Sequence, residues 1–395
     1  MTRVLVAGLL LVSGLGCRSA TGGSPDARDA AVTGDRTGVV GEDAGETSDA
    51  HADSRPAEAD AHADAHANDA AAATDARADA ADAADATDGA PRPFAWSEGT
   101  PCPLARFEAN GVVIGGELWV LGGFTSATLQ VTRRVDRYDP ASDSWRAGPD
   151  LPGAETHFAT VAVGSDIIVV GGFTGNFSSA ARPPTTDAVW RWSAANAAWS
   201  AGPPLPSPGA AFAWALLGGE LHLAGGLGPD GNTDTHTHVV WNLAGAGPWT
   251  TGAPLPDARN HGGGAASGGR FYAIAGRHQW DETAGDVATV NQFDPATGAW
   301  TNRAPIPIAR SEIAASTSVM SDGRILVVGG SVAGVMPNGD VLIYDPIGDA
   351  WSALPSLPAR RKGAVAARIG PRLIVTTGSP TSVDPSPTTF VGCCL

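Results

Sequence analysis

The segment Leu118-Trp119-Val120-Leu121-Gly122-Gly123, followed by Tyr138-Asp139-Pro140, Trp145 and Leu151-Pro152, contains the unit from which the chain is built. Four apolar residues between the turn pair Gly115-Gly116 and a glycine doublet read as a short buried strand. Tyr138 and Trp145 flank an Asp-Pro turn, the pattern of a two-stranded hairpin with an aromatic on each arm. The unit recurs. Trp96, Trp145, Trp199, Trp249, Trp300 and Trp351 are spaced 49, 54, 50, 51 and 51 residues apart. Each has a proline seven residues later, from Pro103 to Pro358. Glycine doublets return at Gly171-Gly172, Gly225-Gly226 and Gly329-Gly330, with degenerate copies at Ala275-Gly276 and Thr377-Gly378. A period near 50 residues sets the fold before any single strand is assigned.

The order of glycine doublet, aromatic-Asp-Pro, Trp and Leu-Pro resembles the kelch repeat, over residues 94–395 and in six copies. The resemblance implies an all-β, six-bladed β-propeller of four-stranded antiparallel blades. Asn242 stands where the third copy should have its hairpin aromatic, and Phe390 is read as that aromatic in the last copy. The last copy ends before its own tryptophan, and Trp96 precedes the first doublet. The N-terminal strand is therefore expected to complete the final blade and close the ring, which removes the exposed sheet edges.

Ahead of the repeats lie two other segments. Residues 1–17 carry Arg3, an apolar run from Val4 to Leu15 and then Cys17, too short to span a bilayer and suited to a secretory signal. Gly14-Leu15-Gly16-Cys17 resembles a bacterial lipobox, although Gly14 replaces the usual leucine. That resemblance implies lipidation at Cys17 and a place in the bacterial cell envelope, at the outer membrane or cell surface; secreted or periplasmic release is the alternative. Residues 18–93 are rich in Ala and Asp, lack Trp, Tyr, Phe, Leu and Ile, and carry a net charge of −11. Without large apolar groups such a tether cannot offset the entropy of ordering.

The whole chain has 41 acidic and 25 basic side chains and a net charge of −16, which excludes the basic footprint of a nucleic-acid binder. Most of that charge belongs to the tether. With Cys17 set aside, Cys102, Cys393 and Cys394 all fall on the closing blade. A disulfide from Cys102 to Cys393 or Cys394 would staple the ring, but repeat alignment sets them at opposite ends of the outer strand, a span that can exceed the roughly 7 Å limit between α-carbons.

Two candidate surfaces follow. Three residues beyond the repeat prolines stand Arg106, Glu155, Arg259, Arg310 and Arg361, and two further on Glu108, His157, His261 and Glu312. This channel-mouth ring suits an anionic or polyhydroxylated ligand, or alternatively bonds blade to blade. The loops after the doublets offer Phe124, Phe173, Arg277, His278 and Trp280, either as recognition groups or as covers for the core. Asp230-Gly231-Asn232-Thr233-Asp234 has calcium-loop spacing without the glycine and terminal carboxylate such a loop needs, so no metal is expected there. No cofactor and no catalytic residue is assigned. The expected function is a monomeric, non-catalytic propeller binding a protein or glycan through one face. The alternative is a carbohydrate-active enzyme resembling the six-bladed sialic-acid mutarotases, working through the Arg, Glu and His of the ring.

Overall fold

The computed structural model describes residues 93–178, 182–245, 247–279 and 285–395. The signal segment with Cys17, the tether up to residue 92 and Trp280 lie outside the described residues. Six four-stranded antiparallel sheets form the blades of a propeller. Blade 1 runs Asn110–Ile114, Glu117–Leu121, Val135–Asp139 and Ser144–Ala147 from the inside outward. Blades 2 to 5 begin at Ala159–Val163, Ala213–Leu217, Gly263–Ser267 and Thr317–Val319. In blade 6, Val365–Ile369, Arg372–Thr376 and Thr389–Cys393 are completed by Ala95–Gly99 from the other end of the chain. The closure expected from the orphan tryptophan is thus the observed one, with Trp96 opposite Gly392.

The doublets explain why the blades stay together. Gly122 and Gly123 have φ of 60° and 94°. A β-carbon on Gly123 would sit 2.7 Å from the backbone nitrogen of Ala109 in its own blade, and one on Gly122 would crowd Glu155 O of the next blade. With both positions bare, the second doublet residue donates its N–H across the seam. Gly123 bonds Glu155 O at 3.0 Å, and Gly172, Gly226 and Gly276 bond Gly209 O, Arg259 O and Arg310 O, each at 2.8 Å. Gly330 reaches Arg361 O at 2.9 Å and Gly378 returns to Arg106 O at 2.8 Å, which closes the circle. Ala275 and Thr377 take the first doublet position with φ of 54° and 62°, so the geometry survives the loss of glycine at a local conformational cost.

The repeat tryptophans bolt the rim. Trp96, Trp145, Trp249, Trp300 and Trp351 each donate the indole N–H to a carbonyl of the preceding blade's outer connection, Pro355, Thr100, Pro203, Ala253 and Ala304, at 2.8 to 3.0 Å. Each acceptor stands three residues before a repeat proline, so one sequence period encodes both halves of the bond. In blades 1 and 5 an aspartate grips the same residue from the other side. Asp143 accepts from Thr100 N at 2.7 Å and Asp349 from Ala304 N at 2.8 Å, while each also accepts a tyrosine hydroxyl.

Two expectations are corrected, and the objection to the cysteine staple holds. In blade 3 the hairpin aromatic is Trp241, one residue before Asn242, and it packs 5.5 Å from Trp249. In blade 6 the strand register puts Gly392, not Phe390, opposite Trp96; Phe390 points into the core. The ring that fills the notch over Gly392 is Phe94, edge-on to Trp96 at 5.1 Å. Cys102 carries a free, buried thiol, so it is joined to neither Cys393 nor Cys394. Its sulfur accepts from the Arg106 guanidinium at 3.6 Å.

Deleting Phe94–Gly99 from the full chain bares the edge of Thr389–Cys393 and removes one rim bolt. The shortened chain should melt well below the wild type or self-associate through that edge, as calorimetry and light scattering will show. Unchanged melting of a monomer would contradict closure by the N-terminal strand.

Candidate functional site

The connections that lead into the inner strands carry the charged ring, and the structure divides it in two. Arg106, Arg259, Arg310 and Arg361 are almost fully buried and face the main chain, away from the channel. Arg106 donates to Arg134 O at 2.9 Å and Gly122 O at 3.4 Å, and pairs with the fully buried Asp136. Arg259 donates to Ala275 O at 2.7 Å, Arg310 to Gly329 O at 3.0 Å and Arg361 to Ser386 Oγ at 3.2 Å. In three of these the acceptor is the first residue of the blade's own doublet, so the guanidinium holds the loop that makes the seam. Glu155 takes the equivalent place in blade 2, buried, with Oε2 unpartnered. Trp190 offers it only weak, misaligned donation, and burial pushes its pKa up to about 7.

Two residues further on, the chain turns into the channel. Glu108, His157, Ala211, His261, Glu312 and Gly363 all have φ between 50° and 57°. The left-handed turn aims their N–H groups around the ring: Glu108 donates to Gly363 O at 2.8 Å, Ala211 to His157 O at 2.8 Å and His261 to Ala211 O at 3.0 Å. Five of the six are not glycine, which makes this a belt of conformational strain around the mouth.

The side chains on that belt meet. Glu108 pairs with His157 Nε2 at 2.6 Å, and the rings of His157 and His261 are 4.8 Å apart. Glu312 is held by Lys362 Nζ at 3.2 Å and Arg277 at 3.6 Å. Burial pushes Glu312 up to about 7, Lys362 opposes the rise, and the Glu108 carboxylate adds to it. Burial also works to raise Glu108, but His157 prevails and holds its carboxyl below the usual range. His261 is kept neutral, chiefly by burial and then by His157, Arg277 and Lys362. Beside this cluster lies a small cavity of about 40 Å³ walled by Phe158, Trp214, Ala314 and Ala315.

The loop residues divide differently. Phe124 and Phe173 are buried with Phe107 and Phe177 in one aromatic cluster against His157, so they cover the channel mouth and do not project from it. Arg277 is also buried and belongs to the Glu312 cluster. His278 is the part-exposed member, bonded to Ala258 O at 2.9 Å. Lys362 was not among the expected site residues. The available signal was its being the chain's single lysine, placed beside the repeat arginine Arg361. Among the described residues no group of three or more His, Cys, Asp or Glu side chains could hold a metal ion. Asp230 of the calcium-like loop accepts from Asn232 N and Thr233 N, both at 2.9 Å, and so closes its own turn.

The Kelch motif matches residues 105–152 and 314–358, the first and fifth blades. These blades are kelch repeats. Kelch-like protein terF of Aspergillus terreus is 32% identical over 38% of this chain and 34% of its own length. Kelch repeat and BTB domain-containing protein 12 of Danio rerio is 31% identical over 37% of this chain and 25% of its own. Beta-scruin of Limulus polyphemus is 26% identical over 43% and 20%. This kelch-repeat chain spans about a third or less of the length of those relatives.

Buried titratable groups give this kelch propeller a two-sided pH profile. Glu155 is raised from 4.5 to about 7, so its contribution is complete below 4.5 and is lost as pH rises through 7, on the order of 3 kcal/mol. His222, buried 3.1 Å from His238, is lowered from 6.5 to about 4, first by burial and then by His238. Its contribution is complete above 6.5 and is lost as pH falls toward 4. Glu155→Gln should therefore raise stability at pH 8 while leaving the acid limb in place, measured by denaturant titration at several pH values. An unchanged alkaline limb would contradict the assignment.

Proposed function

We propose that the protein is a non-catalytic binding propeller of the bacterial cell envelope that takes a protein partner on the face carrying the doublet loops and the channel mouth. One observation carries the reading. Among the described residues the exposed large apolar side chains are Ile308, Met336 and Ile347, and two of the three belong to this face. Ile308 lies on the connection before Arg310, and Met336 on the small hairpin Ser331–Val332 with Met336–Pro337 that follows the blade 5 doublet. They are 49% and 52% exposed on segments fixed to a rigid ring, the setting in which apolar anchors bind protein surfaces. A ring of kelch repeats without a catalytic motif of its own fits the same reading.

The enzyme alternative loses its arginines. Arg106, Arg259 and Arg310 bond main-chain carbonyls, Arg361 bonds Ser386, and none of the four lines the cavity at the mouth. Glu108 pairs with His157 and Glu312 with Lys362, and all four are nearly closed to solvent. The mouth therefore serves as a rigid hub, with the partner engaged by the surrounding loops.

Anchoring at Cys17 and the acidic tether would hold this face clear of the membrane. The test has two arms. Wild-type protein should incorporate labelled palmitate and partition with membranes, and Cys17→Ser should do neither. The double variant Ile308→Asp and Met336→Asp, melting like wild type, should lose most partner capture from envelope extracts. Undiminished capture would sink the assignment of the face, and palmitate label retained by Cys17→Ser would sink the anchor.

A further inference from the structure

The seams between blades differ on the face opposite the doublet loops, where the turns at Gly115-Gly116, Asp139-Pro140 and Ser193-Ala194 lie. Between blades 1 and 2 opens a groove of about 540 Å³, within the size range of small-molecule sites. Its walls include Glu117, Trp119, Arg137 and Arg146 of blade 1 and Ser165 and Trp192 of blade 2.

Three features set this seam apart. First, Arg137 and Arg146 stand directly opposite each other on neighbouring strands, a like-charge pair that costs stability. The equivalent pairs in the other blades are Arg191 with Ser200, Val240 with Thr250, Gln292 with Thr301, Ile343 with Ser352 and Val391 with Ser97. Glu117 bridges the two guanidiniums at 2.6 and 2.5 Å, so one carboxylate serves two cations. Asp139 also lines the groove and feels the Arg146 charge, but it makes no ion pair with either guanidinium; it accepts from Ala141 N and the Ser142 hydroxyl, each at 2.8 Å. Second, the Arg137 guanidinium lies 4.1 Å from the Trp119 ring, and the buried indole N–H of Trp119 has no acceptor. The other blades place Ile168, His222, Tyr272, Leu326 and Ile374 at that position. Third, Trp199 is the repeat tryptophan whose indole N–H makes no bond to the preceding blade, so this seam lacks its rim bolt.

We propose that this groove binds an acidic saccharide, a sugar unit bearing a carboxylate or sulfate. The anion is received by Arg146, which is 59% exposed and already oriented by Glu117. The sugar ring lies along the apolar wall of Ile114 and Trp192. A surplus of fixed donors beside aromatic surface matches an acceptor-rich ring better than it matches a bare ion or an apolar ligand. Balanced against a bound anion, the Arg137–Arg146 pair ceases to be a cost.

The full chain is titrated calorimetrically with a chondroitin sulfate tetrasaccharide, with maltotetraose and with inorganic sulfate. The tetrasaccharide should bind once per chain and change tryptophan fluorescence, with maltotetraose and sulfate far weaker. Arg146→Ser installs the serine that blades 2, 5 and 6 carry, so it should fold and melt at or above wild type while weakening the tetrasaccharide by about tenfold or more. Arg324→Ser, which removes a part-exposed arginine from the corresponding turn of blade 5, should bind like wild type. Failure of the tetrasaccharide to bind, equal binding of maltotetraose or sulfate, or full binding by Arg146→Ser would each overturn the proposal.

Discussion

The hydrogen bond from the second residue of each doublet to the next blade is the constraint on which the rest of this propeller depends. Six such bonds run from Gly123 to Glu155 and onward until Gly378 reaches Arg106. The second doublet residue lies against the strand entry of its own blade, where a β-carbon at Gly123 would strike Ala109, and this is why the repeat keeps a glycine there even where Ala275 and Thr377 replace the first. The buried arginines serve the same bond indirectly, because their guanidiniums hold the doublet carbonyls on the other side of the turn. A ring of seams has no weak end only if the first and last blades are joined, which Ala95–Gly99 does.

Such a ring leaves its two faces free to differ. On one face the chain turns into the channel through a belt of left-handed residues, and the charges they carry are matched in pairs within a nearly dry site. His157 beside Glu108 and Lys362 beside Glu312 let two carboxyls sit near each other there. On the other face, blades 1 and 2 leave an opening in which Glu117 is in ion-pair contact with both Arg137 and Arg146. The first arrangement rigidifies the molecule; the second leaves guanidinium donors open to a ligand. That asymmetry is why a partner surface is assigned to the loops around the mouth and a small acidic ligand to the groove behind it.

Most of the fold was legible because its signals are periodic: doublet, aromatic, tryptophan and proline recur at fixed offsets, and the count predicted both six blades and their closure. The misses come from effects that periodicity does not carry. Strand register has a period of two, so a one-residue shift moved the blade 3 aromatic from the expected Asn242 to Trp241. Phe94 fills the place over Gly392 from the far end of the chain, which no local pattern reveals. The ring positions themselves were found, but not which way each turns. Whether Arg259 faces a carbonyl and His261 faces the channel is decided by the left-handed φ at His261, and residue type alone gives no hint of it there. Phe124, Phe173 and Arg277 were equally visible as loop residues, yet their burial depends on how the loops fold back over His157 and Glu312. Lys362 escaped because a single lysine in an arginine-rich chain has no repeat to mark it.

Native-state amide exchange tests the central claim most directly. If the six seam bonds form one closed circuit, the amides of Gly123, Gly172, Gly226, Gly276, Gly330 and Gly378 should exchange only through global unfolding, with a common protection that tracks denaturant as a unit. Rapid exchange at Gly378 alone, with the other five protected, would show that the ring is open between its first and last blades and would contradict the account.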